Sequence, residues 1–309
     1  MIKIFKTFGG YVEITGIEKN CWINVTKPTS VEIQRLISEF QLPGDTINDI
    51  LDQDERPRVE FEDDWTLVIL RIPVENANNG VPFHTIPLGI FITDNFTLTL
   101  CVQDNEVLPI ERFSSFSGQY KEISDTFNFI LRLFLRSGSI YLRYLKQINQ
   151  RTAMIEQDLE KSIKNRELNQ LLKMEKCLVY FITSIKANEI VLAKLRNAKK
   201  DTTEINEDLL EDAFIENKQA LDMAQIYSNI QSGMMDAFAS VISNNLNVVM
   251  KQLTIISIIL MIPTLIASIF GMNVPNFMEK SVFALPVIIV FSFLLSVLGV
   301  MLFRKKQWF

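Results

Sequence analysis

The sequence contains little of what most metal and redox chemistry requires, with one histidine and three cysteines among 309 residues. Cys21, Cys101 and Cys177 show no C-x-x-C spacing, and we interpret them as reduced, buried thiols in a cytosolic compartment. His84 lies in the predicted soluble part, where a structural role is expected rather than metal ligation. The sequence also lacks a P-loop, a nucleophile elbow and a catalytic dyad. These absences predict a protein that is not an enzyme and uses no organic cofactor or soft metal.

Proline is absent from residues 110–262, which removes the strongest helix breaker from about half of the chain. Apolar residues recur there at helical spacing, so the sequence predicts long amphipathic helices. Bends or a hairpin tip are expected at Gly138 and at residues 164–166, and a turn at 197–203. Thr202 or Thr203 is then expected to cap a helix of about 100 Å. Such a helix needs a packing partner along its length, which favours a homo-oligomeric bundle.

The chain has no excess of positive charge. Its formal net charge is −5 and its pI is near 5.2, so a nucleic-acid partner is not expected. Residues 121–200 nevertheless carry sixteen Lys and Arg against eight Asp and Glu, whereas residues 201–250 carry nine Asp and Glu against one lysine. Either the two segments form solvated faces that attract one another, or the basic segment forms outer helices around an acidic inner helix. The carboxylates of that inner helix would then be available to divalent cations.

Residues 1–115 are predicted to form a compact cytosolic α/β domain. Segments rich in β-branched and aromatic residues predict five strands, at 3–7, 21–25, 66–72, 87–93 and 96–102. Thr29 and Glu32 have the spacing of a capping box, which predicts a helix that continues to about Phe40. Asp45 is expected to cap a second, shorter helix, and residues 76–82 have the composition of a loop.

Two long hydrophobic runs occupy residues 253–270 and 282–303. Eighteen helical residues at about 1.5 Å each cross most of a bilayer core of about 30 Å, so both runs are predicted to be transmembrane helices. Lys251 precedes the first run and the basic residues 304–306 follow the second, whereas the short connection carries one acid and one lysine. The positive-inside rule therefore places both termini in the cytoplasm of a multi-pass membrane protein.

A polar stripe follows the first hydrophobic run. Its members recur every three or four residues, as on one helix face, and are Asp236, Ser240, Ser243, Asn247, Met250, Thr254, Ser257, Met261, Thr264 and Ser268. Such a repeat drifts by about 20° per heptad on a straight helix, so Leu253 shares the stripe. Polar groups are costly against lipid, so the stripe is expected to face protein or water. Two alternatives are open: a pore that gates by dewetting at Met250 and Met261, or close packing between membrane helices.

Gly271, Met272 and Asn273, directly after this run, resemble the signature of the CorA family of magnesium transporters. Their context agrees with the family pattern, because they follow the first of two C-terminal spans and precede a short loop and a basic, aromatic tail. Residues 22–25, 56–61, 232–236 and 247–254 also resemble family sequence, so the resemblance covers essentially the whole chain.

The resemblance implies an α+β membrane protein that assembles as a funnel-shaped homopentamer. Each chain would contribute an N-terminal cytosolic α/β/α domain, a long helical stalk and two C-terminal transmembrane helices. The expected cytosolic parts are an α/β domain (1–115), a helical hairpin (116–200), a stalk helix (201–252) and a C-terminal tail (304–309). The expected membrane part consists of a first transmembrane helix (253–273), an external loop (274–281) and a second transmembrane helix (282–303).

The resemblance also implies a function, which is Mg²⁺ uptake across the cytoplasmic membrane through a central pore. Gly271, Met272 and Asn273 would form the selectivity filter, in which a ring of Asn273 amides binds the hydrated ion through its waters. The implied pore-lining residues are Asp236, Asn247, Met250, Leu253, Ser257, Met261 and Thr264. Asp212 matches a regulatory ligand between subunits, through which cytosolic Mg²⁺ would hold the pore closed.

The loop after the motif departs from the common family pattern. It lacks a Met-Pro-Glu-Leu segment, and its single acid, Glu279, is followed by Lys280, which weakens the concentration of cations at the mouth. The choice among Mg²⁺, Co²⁺, Ni²⁺ and Zn²⁺ is therefore open, and Zn²⁺ transport with proton coupling is one alternative. A membrane scaffold that oligomerises without transport is another. The partner of Asp212 is open too, with candidates at Glu60, Glu62, Asp63 and Asp64.

Overall fold

The structure, a computed structural model, describes residues 1–6, 12–76, 80–108, 126–161, 165–198, 206–272 and 283–306. The strands are β1 Ile2–Phe5, β2 Cys21–Thr26, β3 Arg58–Phe61, β4 Thr66–Glu75, β5 Phe83–Ile92 and β6 Phe96–Cys101. The helices are α1 Ser30–Ser38, α2 Gly44–Leu51, α3 Thr126–Lys161, α4 Asn165–Ala198, α5 Glu207–Phe270 and α6 Ala284–Lys305. The chain divides into two compact units, Met1–Gly233 and Met234–Phe309, and α5 contributes to both.

The first unit contains a six-stranded sheet in the order β1-β2-β6-β5-β4-β3. β2 and β6 pair in parallel, and the other neighbouring strands pair antiparallel. The short helices α1 and α2 cover one face through buried Leu36 and Ile50. Ile50 reaches the sheet at Gly89, where an added Cβ would lie 2.8 Å from its Cγ1 atom. The absence of a side chain at Gly89 therefore lets α2 approach β5 closely.

The capping box that the sequence predicts at α1 is confirmed. The Thr29 hydroxyl accepts a hydrogen bond from the Glu32 backbone N–H at 3.3 Å, and the Glu32 carboxylate accepts one from the Thr29 N–H at 2.8 Å. The Thr29 backbone bond lowers the pKa of Glu32. The same carboxylate accepts a bond from the Ile2 N–H at 3.1 Å, so the cap also fixes the start of β1.

The five predicted strands are present with shifted ends, and the structure adds β3, whose charged residues Arg58 and Glu60 give a weak strand signal. Two local predictions are wrong. Asp45 lies in the first turn of α2, whose N-cap is Pro43 with no side-chain hydrogen bond. Gly138 does not bend the chain, because α3 continues through it; an added Cβ there would lie 2.8 Å from Glu216 Cγ of α5. The cap predicted at Thr202 or Thr203 lies outside the described residues.

The long helices of the first unit attach to the part of β4 that extends beyond its pairing with β3. The Asn188 side chain on α4 accepts a hydrogen bond from the Arg71 N–H at 2.8 Å and donates one to the Arg71 carbonyl at 2.7 Å. This pair of bonds replaces strand pairing where β4 extends beyond β3. The Tyr141 hydroxyl on α3 donates to the same carbonyl at 3.0 Å. A single backbone position therefore anchors both helices.

The 64-residue helix α5 confirms the prediction of one long helix that continues past Pro263. Pro263 lies near the C-terminal end of this helix, where the missing backbone N–H costs one helical hydrogen bond. Within the described part of the chain, Glu207–Phe270 and Leu285–Lys305 are the two helices that are long and apolar enough to cross a membrane. Almost none of their most apolar stretches is buried within the chain.

Candidate functional site

The polar stripe of α5 lies on an open surface of the chain. Its spacing of three and four residues places the side chains on one face of the helix. Each of the seven residues expected to line a pore is exposed: Asp236, Asn247, Met250, Leu253, Ser257, Met261 and Thr264. Met261, for example, retains 66% of its accessible surface and Leu253 retains 55%. The structure therefore brings the predicted residues together along one helix face, which the described parts of the chain leave uncovered.

A different face of α5 contacts α6 at Ile262. Ile255 is fully buried, and Ile259, Ile262 and Ile266 are partly buried at the same helical spacing. Ile262 Cδ1 lies 3.5 Å from the position that a Cβ would occupy on Gly299 of α6. At about 100° per residue, the mean direction of this isoleucine face lies about 150° from that of the stripe. Packing on the chain's own second span is therefore excluded as the reason for the stripe.

The hydroxyl groups of the stripe donate their protons to the helix itself. Thr254 Oγ1 donates to the Met250 carbonyl at 2.8 Å, Ser257 Oγ to the Leu253 carbonyl at 2.9 Å, and Thr264 Oγ1 to the Met261 carbonyl at 2.8 Å. A hydroxyl that has donated its proton presents its oxygen lone pairs to a neighbour. The stripe is thus a line of hydrogen-bond acceptors, which suits the water shell of a cation.

The motif after α5 is described as far as Met272. The Gly271 N–H donates to the Ala267 carbonyl at 2.9 Å, so this residue continues the last helical turn. A Cβ on Gly271 would lie only 3.1 Å from that carbonyl oxygen, which explains why glycine suits the position. Met272 is exposed. Asn273, the predicted filter residue, lies outside the described residues together with the connecting loop.

Asp212 is exposed on α5 in the first unit and forms no ion pair with any residue that the structure describes. No group of three His, Cys, Asp or Glu side chains that could hold a metal occurs within the described ranges. Within the described ranges, Asp212 therefore has no partner residues that would complete a metal site. Of its candidate partners, Glu60 is already paired with Arg58, whereas Glu62, Asp63 and Asp64 are exposed.

The histidine and the cysteines have structural surroundings. All three cysteines are free and buried, as the sequence predicts, and burial raises the pKa of the Cys101 and Cys177 thiols to about 11. His84 Nδ1 is buried without a hydrogen-bond partner among the described residues. Burial and the positive charge of Arg71 both lower the pKa of His84, which keeps its ring neutral near pH 7.

Comparison with known proteins agrees with these features. The family model for the CorA-like Mg²⁺ transporter protein matches residues 18–305. The chain belongs to this family. It is 28% identical over 302 residues to the cobalt/magnesium transport protein CorA of Methanocaldococcus jannaschii, covering 93% of this chain and 90% of that protein. It is 25% identical over 292 residues to the protein of the same name from Thermotoga maritima, covering 93% and 83%.

The solved structures include the complete CorA magnesium transporter from M. jannaschii, which matches with a TM-score of 0.82 at 23% identity. The match covers 100% of this chain and 99% of that one. It shows the same fold from end to end, with a soluble N-terminal domain, a long helix and two candidate membrane helices. The family resemblance and this part of the expected fold are therefore confirmed.

Proposed function

We propose that this chain forms a channel for divalent cations and that Mg²⁺ is its principal substrate, taken up across the cytoplasmic membrane with both termini on the cytosolic side. The observation that carries the proposal is the acceptor stripe on the α5 face opposite α6. A line of oxygen acceptors inside an apolar span requires water or protein against it. The two relatives described above are named as cobalt/magnesium transport proteins and others as magnesium transport proteins, which supports this choice of cargo.

The pore requires several copies of the chain. One chain offers a single stripe, and its only other candidate span within the described residues lies on the opposite side of α5. Copies arranged around an axis, with each α5 stripe turned inward, would enclose a path and leave α6 on the lipid side. We propose the homopentamer with a funnel shape that the family resemblance implies. Because acceptors alternate with Met250, Leu253 and Met261, that path would have polar and apolar rings. Apolar rings can close a pore by dewetting.

The proposed path selects its ion without binding it tightly. Residues 237–306 contain one carboxylate, Glu279, and that residue lies in the connecting loop rather than in a span. Mg²⁺ loses its waters reluctantly, so neutral oxygens can hold the hydrated ion and still release it. In this proposal Gly271, Met272 and Asn273 form the filter, with the Asn273 amides contacting the water shell. Asp236 then provides a ring of negative charge at the cytosolic end of the path.

Closure is proposed to depend on cytosolic Mg²⁺ near Asp212. The residue is exposed and unpaired within the described chain, so its carboxylate is available to an ion shared with another copy. Mg²⁺ is a hard cation that takes one or two carboxylates with several waters, and an incomplete site of this kind suits it. A bridging ion would hold neighbouring copies together, and its loss at low Mg²⁺ would release them. Uptake would then be subject to negative feedback.

Co²⁺ is the nearest competing cargo, because the names of two of the curated relatives include cobalt. Zn²⁺ or Ni²⁺ on the same fold is a weaker alternative. The described residues provide no cluster of His, Cys, Asp and Glu side chains of the kind that such metals prefer. Flux in the presence and absence of an imposed pH gradient separates passive uptake from a proton-coupled mechanism.

The deciding experiment measures divalent-cation flux in proteoliposomes that contain the full chain, with Mg²⁺, Co²⁺, Ni²⁺ and Zn²⁺ offered singly. We expect Mg²⁺ to enter and Asn273→Ala to abolish its entry. Asn276→Ala is the matched control, because it removes an equal amide three residues along the loop and should leave flux intact. Full flux through Asn273→Ala would remove the filter assignment, and no flux of any ion would favour a non-transporting scaffold.

A further inference from the structure

Four exposed cations lie at one end of the two membrane spans. Lys251 precedes the apolar part of α5, and the basic residues 304–306 end α6. None of the four forms an ion pair with a residue that the structure describes. Residues 237–306 contain a single acid, Glu279, which lies between the spans in sequence rather than beside these cations. This positive charge therefore has no acid of its own segment to neutralise it.

The lengths of the two spans place the cations at one depth in a bilayer. The uncharged stretch that follows Lys251 contains 18 residues from 253 to 270, and the stretch of α6 that precedes Arg304 contains 19 residues from 285 to 303. At about 1.5 Å per residue they measure about 27 and 28 Å, close to the hydrocarbon thickness of about 30 Å. The cations at their ends therefore lie in the headgroup layer, at the level of the lipid phosphates.

Two of the four cations continue the helix faces through which α5 and α6 meet. Successive spans cross a bilayer in opposite directions, so the helices are antiparallel around the contact of Ile262 with Gly299. Lys251 is 11 residues before Ile262 (262 − 251), and Lys306 is seven residues after Gly299 (306 − 299). At about 100° per residue, each lysine points within about 20° of the contact direction on its helix. Both lysines therefore border the groove between the two helices.

The same two lysines lie on one side of this groove and at a similar level. The Lys306 N–H donates to the Leu302 carbonyl at 3.2 Å, so the last helical turn extends to this position. Both lysines are turned from the contact in the same sense, which in an antiparallel pair places them on the same side. Their axial positions differ by four residues, or about 6 Å. With helix axes about 8–10 Å apart, their flexible four-carbon stems let both ammonium groups contact one anion between them.

Apolar side chains line the groove on the membrane side of the two lysines. Ile258 of α5 lies about 6 Å from the contact and Leu302 of α6 about 5 Å from it, both in the direction of the lysines. Both are turned to the side of the groove on which the lysines lie. Ile258 is 39% exposed and Leu302 is 58% exposed. A soluble anion gains nothing from such a surface, whereas an acyl chain beneath a headgroup packs against it.

We propose that this end of the groove binds one anionic phospholipid per chain, with its phosphate between Lys251 and Lys306 and an acyl chain on Ile258 and Leu302. The lipid supplies the negative charge that the segment lacks, at the depth that both spans fix. The other two cations, at 304 and 305, are turned from the groove by about 140° and 120° and attract anionic surfaces without belonging to the site. The site requires only that the spans lie in a bilayer, and it does not depend on transport.

The test measures lipid binding to the full-length protein in neutral detergent micelles. The probe is a phosphatidylglycerol, the reference is a phosphatidylcholine with the same acyl chains, and native mass spectrometry counts the lipids retained per chain. One cation near an anionic surface contributes about a fivefold factor to binding. The apparent Kd for phosphatidylglycerol is expected to rise about fivefold in Lys251→Gln and in Lys306→Gln, and about 25-fold in the double variant. Equal retention of the two lipids by the wild type would overturn the proposal.

Lys305→Gln is the matched control, because it removes the same charge from the adjacent position, which is turned away from the groove. It should leave the Kd nearly unchanged. An equal rise in Lys305→Gln and Lys306→Gln would overturn the proposal, because it would show attraction to the surface charge as a whole. Millimolar inorganic phosphate should not displace the lipid. Displacement would identify a soluble anion as the occupant and would also overturn the proposal.

A charge-conserving variant separates loss of the site from loss of folding. Lys306→Arg keeps the cation and should retain the lipid, and a loss as large as that in Lys306→Gln would contradict the role of charge. If the double variant does not insert into membranes, the single variants carry the test. Because lipid retention involves no transport, absence of Mg²⁺ flux in the wild type would refute the proposed function and leave the lipid result standing.

Discussion

Replacing Gly138 by alanine is expected to destabilise the protein, although alanine is the better helix former. In an open helix interior this change stabilises by about 1 kcal/mol. At Gly138, however, the new Cβ would lie 2.8 Å from Glu216 Cγ and 3.4 Å from the Glu216 backbone carbon. Glu216 Cβ would lie at 3.3 Å and cannot rotate away from its own backbone, so α3 and α5 must shift by a few tenths of an ångström. Overpacking of this kind costs about 1–3 kcal/mol. The net expectation is a loss of up to about 2 kcal/mol.

Gly233→Ala is the matched control, because Gly233 also lies inside a helix but has nothing within 4 Å of an added Cβ. It is expected to stabilise by about 1 kcal/mol. Thermal unfolding of the purified full-length chain measures the effect of each variant. The unfolding midpoint shifts by about 2–4 °C for each kcal/mol in a unit of this size. The two variants should therefore shift the midpoint in opposite directions. An equal rise in both would refute the close contact of α3 and α5 at Gly138.

Three further predictions concern the stripe, the regulatory site and the single histidine. Thr264→Leu removes a hydrogen-bond acceptor from the stripe and should lower Mg²⁺ flux in proteoliposomes about tenfold. The control Ile266→Leu changes a residue on the isoleucine face and should leave the flux unchanged. Equal flux through the two variants would contradict the pore. Asp212→Ala should raise the cytosolic Mg²⁺ concentration needed for closure about tenfold. The measurement is flux at increasing internal Mg²⁺ concentration, and an unchanged response would exclude Asp212 from the regulatory site. Because the pKa of His84 is lowered in the folded state, its unfolded form binds the proton first. The free energy of unfolding should therefore fall by about 1 kcal/mol or less as the pH falls below about 6.5. Thermal unfolding midpoints at pH 7.5 and 5.5 should show this contribution in the wild type and not in His84→Gln.

The strand and helix pattern could be predicted from the sequence where one local signal dominates. The capping box at Thr29 and Glu32 fixes the start of α1 through bonds between near neighbours. The proline-free segment similarly predicts the long helices. β3 was missed because Arg58 and Glu60 give no apolar pattern, and the strand exists through its pairing with β4. The prediction at Asp45 was wrong because Pro43 already provides the backbone conformation that starts α2.

The candidate site was likewise predictable from the sequence only in part. Helical spacing alone predicts that Asp236 and Thr264 share one face with the residues between them, because a regular helix fixes the direction of every side chain. The spacing cannot distinguish a pore from packing. It also cannot show which face α6 covers, because the contact of Ile262 with Gly299 of α6 exists only in the folded chain.

The sequence by itself determined the family, the two spans, the length of α5 and the stripe, since each is a periodic or contiguous pattern in one segment. The tertiary structure decided which face of α5 contacts α6 and why glycine occupies position 138. These are contacts between segments far apart in sequence. Their free energy depends on the distance between two helices, and no spacing within either helix encodes that distance.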